Sequence, residues 1–232
     1  MKICYFGTYE KDYPRNRNII NGLAANNIEV VECHVDLYAK LENKINLSPA
    51  KKIFLMLRAA LLYLKLIIKR FSLGKIDYVI VGYPGQLDMF LARLLFLRKK
   101  IIFNPMLSIY DTMIDDRKTS NNFLIKKALY FLDKISCRLA NKVILDTPEH
   151  ADYFAKKFKI PRQKLSHVYI GADENIFFPL EKQESNKFKV LFYGKFSPIH
   201  GIDTIIKAAK ILTTDKSIEL EIIGTGQLHG KM

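Results

Sequence analysis

The chain has 232 residues, 49% of them hydrophobic and 12% aromatic, and this composition excludes a disordered or fibrous protein. Its formal net charge of +14 suits an anionic partner, but no aromatic-and-basic stacking motif or helix-turn-helix pattern indicates nucleic acid. The cysteines Cys4, Cys33 and Cys137 lack a metal-binding spacing, and no secretory leader precedes the first predicted strand. We therefore expect a protein of the reducing cytoplasm.

The first part of the chain alternates predicted strands with predicted helices. Apolar runs predict strands at residues 2–6, 28–33, 78–82, 101–103, 143–145 and 165–169. Apolar residues at helical spacing predict helices at 86–97, 121–139 and 148–158, and an earlier helix that ends near Asn26. This order predicts an open, mostly parallel sheet with right-handed crossovers.

Residues 48–71 form a basic segment, within a stretch from Asn43 to Ile76 that contains no acidic residue. On a helix, four cations project within about 40° of one another: Lys51, Arg58, Lys65 and Lys69. The opposite side is apolar: Ile53, Met56, Leu57, Ala60, Tyr63, Leu64 and Ile67. Such a helix suits the surface of an anionic membrane, and the alternative is a core-facing helix with a solvated basic face. Because charges interrupt the apolar run, we do not expect the segment to span a bilayer.

Residues 171–187 interrupt the apolar pattern with a glycine, a proline and a polar run, which predicts a linker. Beyond it, residues 190–226 read as a βαβ unit. Glycines follow both of its strands: Gly194 after the first, and Gly224 and Gly226 after the second. Glycines at the carboxyl ends of parallel strands let the backbone approach a phosphate closely.

Three motifs in this part resemble GT-B glycosyltransferases of family 4. Gly194-Lys195 is similar to a Gly-Arg/Lys motif, and His200-Gly201 stands where most members carry Lys-Gly. The segment from Gly171-Ala172-Asp173 to Phe177-Phe178-Pro179 resembles a Gly-Val-Asp…Phe-x-Pro signature that precedes the second domain. Further segments are similar to a bacterial and archaeal subgroup that also shows His-Gly: Ser108 to Thr112, Asp115-Asp116-Arg117 and Leu145-Asp146-Thr147.

The resemblance implies an α/β chain of GT-B type in three parts. Residues 1–170 would be a complete Rossmann-like domain on the acceptor side, 171–187 an interdomain linker, and 188–232 the first βαβ portion of a second, nucleotide-sugar-binding domain. The family's later Glu-x7-Glu region, which engages the donor, would lie beyond Met232. We therefore expect little or no transferase activity from this truncated chain by itself.

The resemblance also implies the activity: a retaining glycosyltransferase that uses a nucleotide-diphosphate sugar as donor without a bound metal or cofactor. The acceptor would be a lipid-linked or polysaccharide molecule, and the protein would be peripheral on the inner face of a membrane, bound through residues 48–71. The alternative is a non-catalytic subunit, or a membrane-associated binding protein, completed by a separate donor-domain chain.

The predicted donor site takes residues from both parts of the chain. Lys195 and His200 are the expected ligands of the donor diphosphate, and Gly194, Gly201, Gly224 and Gly226 would let the backbone approach it. Near the first strand, Gly7 and Thr8 should face the cleft. Arg15 and Arg17 could meet donor phosphate or an anionic acceptor, or be merely solvated.

The predicted acceptor side rests on loops after two later strands. Asp111 could orient or deprotonate an acceptor hydroxyl, and Asp146 and Thr147 occupy a similar place after the next strand. The alternative for each is a turn or helix-capping role. His150 and His167 have no partner that the sequence identifies, and we expect them to be a helix-face and a strand residue.

Overall fold

The computed structural model describes residues 1–37, 49–174, 176–179, 181, 186–196, 200–212, 214–226 and 228–231, with the backbone alone for 49–56 and 231. Internal packing divides the chain into two units, Met1–Phe177 and Phe178–Met232. The division falls inside the segment 171–187 that the sequence indicates as a linker.

The first unit alternates strands and helices. Its strands are β1 Lys2–Gly7, β2 Glu29–His34, β3 Tyr78–Val81, β4 Lys100–Phe103, β5 Lys142–Leu145 and β6 Leu165–His167. Its α-helices are α1 Pro14–Ala25, α2 Pro49–Phe71, α3 Asp88–Leu95, α4 Phe123–Leu139 and α5 Pro148–Phe158. A π-helical turn at Asp111–Asp116 and a 3-10 turn at Arg162–Lys164 complete it.

The six strands pair in the order β2-β1-β3-β4-β5-β6, and every pair is parallel. Parallel pairing places all the carboxyl ends of the strands at one edge. The chain goes from β1 outward to β2 and then returns across β1 to β3, so the switch of direction lies between β1 and β3. In open sheets of this kind, ligands bind in the crevice at that edge and switch point.

Each face of the sheet carries its own apolar core. Alternate residues of β1 point to opposite sides, so Cys4 and Phe6 join the larger core while Ile3 and Tyr5 join the smaller one. The larger core also takes buried residues from α2, α3, α4 and α5, including Leu66, Met89, Cys137 and Phe154. Helix α1 covers the smaller core with Ile19, Ile20 and Leu23.

The second unit contains strands β7 Phe188–Tyr193 and β8 Ile218–Ile223, joined by helix α6 Ile202–Leu212. The strands pair in parallel along their full length, from Phe188 opposite Ile218 to Tyr193 opposite Ile223. A last 3-10 turn covers His229–Lys231. The predicted α/β architecture, with a Rossmann-like sheet and a second parallel βαβ unit, is confirmed.

Helix α2 forms within the predicted basic segment. The side of α2 that packs against the sheet is not the side that the core-facing alternative places inside. Leu66 is fully buried, and Leu62 and Tyr63 pack against the same core. Leu57 and Leu64, which that alternative places inside, are 63% and 56% exposed, so it is wrong for these two residues. Ser48 and the side chains of 49–56 lie outside the described residues.

The exposed side of α2 carries an apolar strip made of Leu57, Leu61, Leu64, Ile68 and Phe71. These residues recur three or four positions apart, so they line one face of the helix. No helix in the described part of the chain is long and apolar enough to cross a bilayer.

The cations beside the apolar strip partly fold back onto the protein. Nη2 of Arg58 donates to the carbonyl of Asp36 at 3.1 Å, and Nζ of Lys69 donates to the carbonyl of His34 at 2.8 Å. Both bonds tie α2 to the end of β2 and the residues that follow it. The basic residues therefore border the apolar strip instead of forming a fully solvated face of their own.

Candidate functional site

The carboxyl end of β1 packs against a buried carboxylate. Oδ2 of Asp88 accepts the backbone N–H of Thr8 at 2.6 Å and its hydroxyl at 3.1 Å, and Oδ1 accepts the hydroxyl of Tyr63 at 2.9 Å. Gly7 has φ +131°, and a Cβ there would lie 2.4 Å from Oδ2 of Asp88. Glycine is needed at this position because the carboxylate occupies the space of a side chain. For Gly7 and Thr8 the contacts favour a structural role over donor binding.

Asp88 is a titratable group that sequence reasoning did not single out. Burial raises its pKa from 3.8 to about 6, and the hydrogen bonds from Thr8 and Tyr63 limit the rise because they favour the charged form. Asp88 begins α3 while Tyr63 lies on α2, so one carboxylate joins two helices to the end of the first strand.

Arg15 is a buried connector between strand ends. Its side chain is 1% exposed; Nε donates to Oδ1 of Asn104 at 2.9 Å and Nη2 to the carbonyl of Leu145 at 2.9 Å, while Nη1 donates to the carbonyl of Val168. Burial lowers the pKa of its guanidinium, and the nearby charge of Asp146 opposes that shift. These bonds tie α1 to the ends of β4, β5 and β6, which favours a structural role over a phosphate ligand.

Arg17 pairs with the segment that begins the predicted linker. Its Nε lies 3.5 Å from Oδ2 of Asp173, and the neighbouring Asn18 donates its side-chain amide to the carbonyl of Gly171. The Gly171-Ala172-Asp173 motif is therefore held against the start of α1. A merely solvated Arg17 would not form this ion pair, and a role of Arg17 as a phosphate ligand does not explain it either.

Asp146, at the end of β5, forms a carboxylate–imidazole pair with His150. Oδ1 of Asp146 lies 2.6 Å from Nδ1 of His150, and both side chains remain partly exposed. A carboxylate partner fixes the proton on Nδ1 and leaves Nε2 free to accept one. Thr147 caps α5 by accepting the N–H of His150 at 3.1 Å, so its hydroxyl is already used locally.

Asp111 begins the π-helical turn and also reaches helix α5. The hydroxyl of Tyr153 donates to its Oδ1 at 2.8 Å, and Nζ of Lys157 lies 3.8 Å away. Lys157 also pairs with Oδ2 of Asp115 at 3.3 Å.

Helix α5 brings the two predicted acceptor-side carboxylates to neighbouring positions. Asp146 contacts His150 and Asp111 contacts Tyr153, and the centroids of the two rings are 6.3 Å apart. We call these four residues the α5 cluster. It combines hydrogen-bond acceptors with one imidazole, a set that suits a sugar hydroxyl.

Asp133 on α4 holds the turn that leads to Asp111. Its buried carboxylate accepts the backbone N–H groups of Tyr110 at 2.8 Å and Ile109 at 3.2 Å, and the hydroxyl of Ser108 at 2.9 Å. Gln86 adds a bond at 3.2 Å. Burial raises the pKa of Asp133, and these donors oppose the rise.

Sequence reasoning did not single out Asp88 or Asp133 and found no partner for His150, although all three carried a signal. Asp133 lies four residues before the buried Cys137, and Asp88 four residues before the buried Ala92, so both sit on core-facing stripes. An acidic residue on a core-facing stripe indicates a buried carboxylate that accepts hydrogen bonds from other groups of the protein. For His150 the spacing of four residues from Asp146 was the available signal.

In the second unit, Lys195 follows β7 and His200 precedes α6. Both side chains are exposed, and Nδ1 of His200 lies 2.5 Å from the carbonyl oxygen of Lys195. Residues 197–199 between them lie outside the described residues. The two side chains predicted as diphosphate ligands thus flank one short loop at the N-terminus of α6, where backbone N–H groups favour an anion. Gly201 lies at φ +64° with open space around it.

Two further glycines of this unit, Gly224 and Gly226, have a packing role. A Cβ on Gly224 would lie 1.9 Å from the carbonyl oxygen of Gly194, and one on Gly226 would lie 2.4 Å from the carbonyl oxygen of Phe196. The two strand-end loops are also bonded directly, since Phe196 donates its N–H to the carbonyl of Thr225 at 2.8 Å. The contacts of Gly224 and Gly226 explain these glycines without a donor.

Among the described residues, no group of three or more His, Cys, Asp or Glu side chains could hold a metal ion. The three cysteines are buried and unpaired.

Three solved structures with the same fold are distant in sequence. Sucrose-phosphate synthase from Thermosynechococcus elongatus matches with a TM-score of 0.64 at 14% identity, over 95% of this chain and 61% of that chain. HepE from Anabaena in complex with UDP matches at 0.53 and 12% identity, over 99% and 61%. HepE in complex with UDP-glucose matches at 0.52 and 12% identity, over 97% and 61%. No protein-family model and no curated protein matches the sequence.

These similarities show the fold. The chain spans about 61% of the length of the proteins it matches, with a six-stranded parallel sheet followed by a smaller parallel sheet. The GT-B type predicted from the sequence is confirmed as the fold class.

Proposed function

Because the chain has the fold of GT-B glycosyltransferases, we propose that it serves glycosyl transfer from a nucleotide-diphosphate sugar. The observation that carries this proposal is the loop between β7 and α6, with Lys195 at one end and His200 at the other. A lysine, an imidazole and the N-terminus of a helix form a set suited to the charge of a departing diphosphate. A relative with this fold, HepE, binds UDP and UDP-glucose, which supports a uridine nucleotide as the first donor to test.

We assign the acceptor hydroxyl to the α5 cluster. His150, oriented by Asp146, offers Nε2 as a hydrogen-bond acceptor, and Asp111 offers a carboxylate oxygen beside Tyr153. A group that accepts the hydroxyl proton near the reacting carbon is what transfer to an alcohol requires. Retention of the anomeric configuration follows the resemblance to family 4 and belongs to the same proposal.

The diphosphate assignment can be tested by titrating the chain with UDP and UDP-glucose in a calorimeter. We expect Lys195→Ala to bind UDP about tenfold more weakly than the parent, or weaker still, because one charge-assisted contact to a phosphate is lost. Lys207→Ala is the matched control, because it removes an exposed lysine from α6 in the same unit. Unchanged affinity in Lys195→Ala would remove the diphosphate assignment.

The acceptor assignment needs a readout that separates it from the donor. His150→Ala should leave UDP affinity within about twofold of the parent, because the donor ligands lie on β7 and α6, while affinity for a glycan acceptor falls. His167→Ala controls for the loss of an imidazole, since His167 lies on β6 and has no contact with the α5 cluster among the described interactions. Equal acceptor affinity of the His150 and His167 variants would count against the α5 cluster.

The apolar strip of α2 supports peripheral contact with an anionic membrane, and with it a lipid-linked acceptor on the inner face of that membrane. Five large apolar side chains are exposed along one helix face, with Lys65 and Lys69 beside them. Exposed apolar residues flanked by cations are typical of helices that lie in a membrane interface.

Vesicle flotation tests this contact. Leu61→Ser/Leu64→Ser should release the protein from anionic vesicles without unfolding it, because both side chains are already exposed. Leu191→Ser/Ile211→Ser removes two exposed apolar side chains from the second unit and serves as the control. Failure of the parent protein to float with anionic vesicles at low salt would exclude the membrane contact.

A further inference from the structure

A basic pocket lies where the end of α2 meets the end of α3. It is an open cavity of about 350 Å³, lined by Arg70, Leu95, Phe96, Leu97, Arg98 and Lys99. Three of the six lining residues are cations and none is an acid. Like charges brought together repel one another, so an anion in the pocket would relieve that repulsion.

Arg70 is the cation that the protein itself leaves incompletely bonded. Its guanidinium carbon lies 4.6 Å from the ring centroid of the buried Phe96, a cation–π contact. Its Nε is buried and has no hydrogen-bond partner among the described residues. A buried charged donor without an acceptor is unfavourable, and a planar guanidinium held in place is suited to a phosphate.

An acidic residue does lie in the neighbourhood of the pocket. The pKa of Asp77 is lowered first by the backbone N–H of Lys2 and also by the charges of Lys75 and Lys99. Its Oδ2 already accepts that N–H at 2.8 Å. Asp77 therefore balances part of the charge of Lys99.

Exposed apolar side chains border the cations. Leu97 in the pocket wall is 69% exposed, and Phe71, next to Arg70, is 79% exposed. Leu94, one turn before Leu97, is 67% exposed. A site for a free anion does not require exposed apolar side chains. A phospholipid, in contrast, carries acyl chains next to its phosphate, and these can contact such side chains. The apolar border thus favours a membrane lipid over a soluble phosphate.

We propose that the basic pocket binds the phosphate of an anionic phospholipid headgroup while Phe71, Leu94 and Leu97 enter the interface. This site rests on the membrane contact of the proposed function and goes further, because it assigns the headgroup to one place and one set of side chains. Arg70 supplies the planar fork, and Arg98 and Lys99 supply further charge.

Flotation with phosphatidylcholine vesicles, with and without phosphatidylglycerol, tests the pocket. Arg98→Ala/Lys99→Ala should weaken binding to the anionic vesicles about thirtyfold, the effect of two basic residues at the surface. Arg70→Lys keeps the charge and loses the fork, and it should weaken binding about tenfold. Lys189→Ala/Lys207→Ala removes two exposed lysines from the second unit and should stay within about twofold of the parent. Circular dichroism checks that each variant is folded.

The outcomes separate the pocket from the wider membrane contact. Strong binding of the parent together with equal binding of Arg70→Lys and Arg98→Ala/Lys99→Ala would overturn the pocket and leave the α2 contact standing. No vesicle binding by the parent would overturn both the contact and the lipid site. A shift of the Arg70 Nε resonance by inorganic phosphate alone, without vesicle binding, would identify a soluble-anion site and contradict the lipid assignment.

Discussion

Asp88 allows a quantitative prediction about pH and stability. Its pKa is raised from 3.8 to about 6 in the folded protein, mainly because the carboxylate is buried. Between those two pH values the folded chain binds more protons than the unfolded chain, so the free energy of unfolding falls as pH rises. The stabilisation is fully present below the unfolded pKa and is lost above the folded one. A shift of about two units corresponds to about 3 kcal/mol in total.

The perturbation is Asp88→Asn, which keeps the shape of the side chain and an oxygen for the N–H of Thr8. The stability difference, parent minus variant, should fall by about 2 kcal/mol between about pH 4.5 and about pH 7, since most of the proton release lies in that interval. Urea unfolding followed by circular dichroism measures it. Asp116→Asn, at an exposed carboxylate, controls for the removal of one charge.

The sign can be checked with a second variant. Tyr63→Phe removes a donor that favours the ionised form, so it should raise the pKa of Asp88 further and steepen the fall in stability. A parent-minus-Asp88→Asn difference that stays constant across the pH range would refute the reasoning. So would a difference that grows with pH, which requires a carboxylate stabilised in its charged form.

Three further predictions concern packing and buried bonds. Gly224→Ala should destabilise the second unit by about 1–3 kcal/mol, because the new Cβ meets backbone that cannot move aside. Gly230→Ala, with open space around the new Cβ, should be neutral. Hydrogen exchange of the β7 and β8 amides measures the effect of both variants. Arg15→Met should lower the stability of the first unit by about 3 kcal/mol, because the carbonyls and the amide that Arg15 bonds would be left unpaired. A loss of UDP affinity at unchanged stability would instead make Arg15 a ligand. Asp133→Ala should speed hydrogen exchange at Tyr110 far more than at Val143, because the turn before Asp111 is bonded to that carboxylate and β5 is not. Equal protection of Tyr110 in parent and variant would contradict this.

The order of strands and helices followed from the sequence because it depends on local patterns. Continuous apolar runs such as residues 78–82 indicate strands buried on both faces, and the 3.6-residue period of 148–158 indicates a helix. The GT-B type followed from motif order. The π-helical turn at Asp111–Asp116 was not predicted, since its geometry depends on a carboxylate from α4.

The sequence by itself determined the elements, because periodicity is a property of neighbouring residues, and its motif order indicated the fold class. The role of Lys195 as a diphosphate ligand stays a prediction. Tertiary structure decided which groups meet. Asp88 touches Thr8 across 80 positions, and Arg15 reaches Leu145 across 130. It also decided which side of α2 faces water, since packing against the sheet selects one face among several apolar ones. Long-range contacts of this kind produce no periodic pattern in the sequence. They distinguish the side chains that have a structural role from those that are available to bind a ligand.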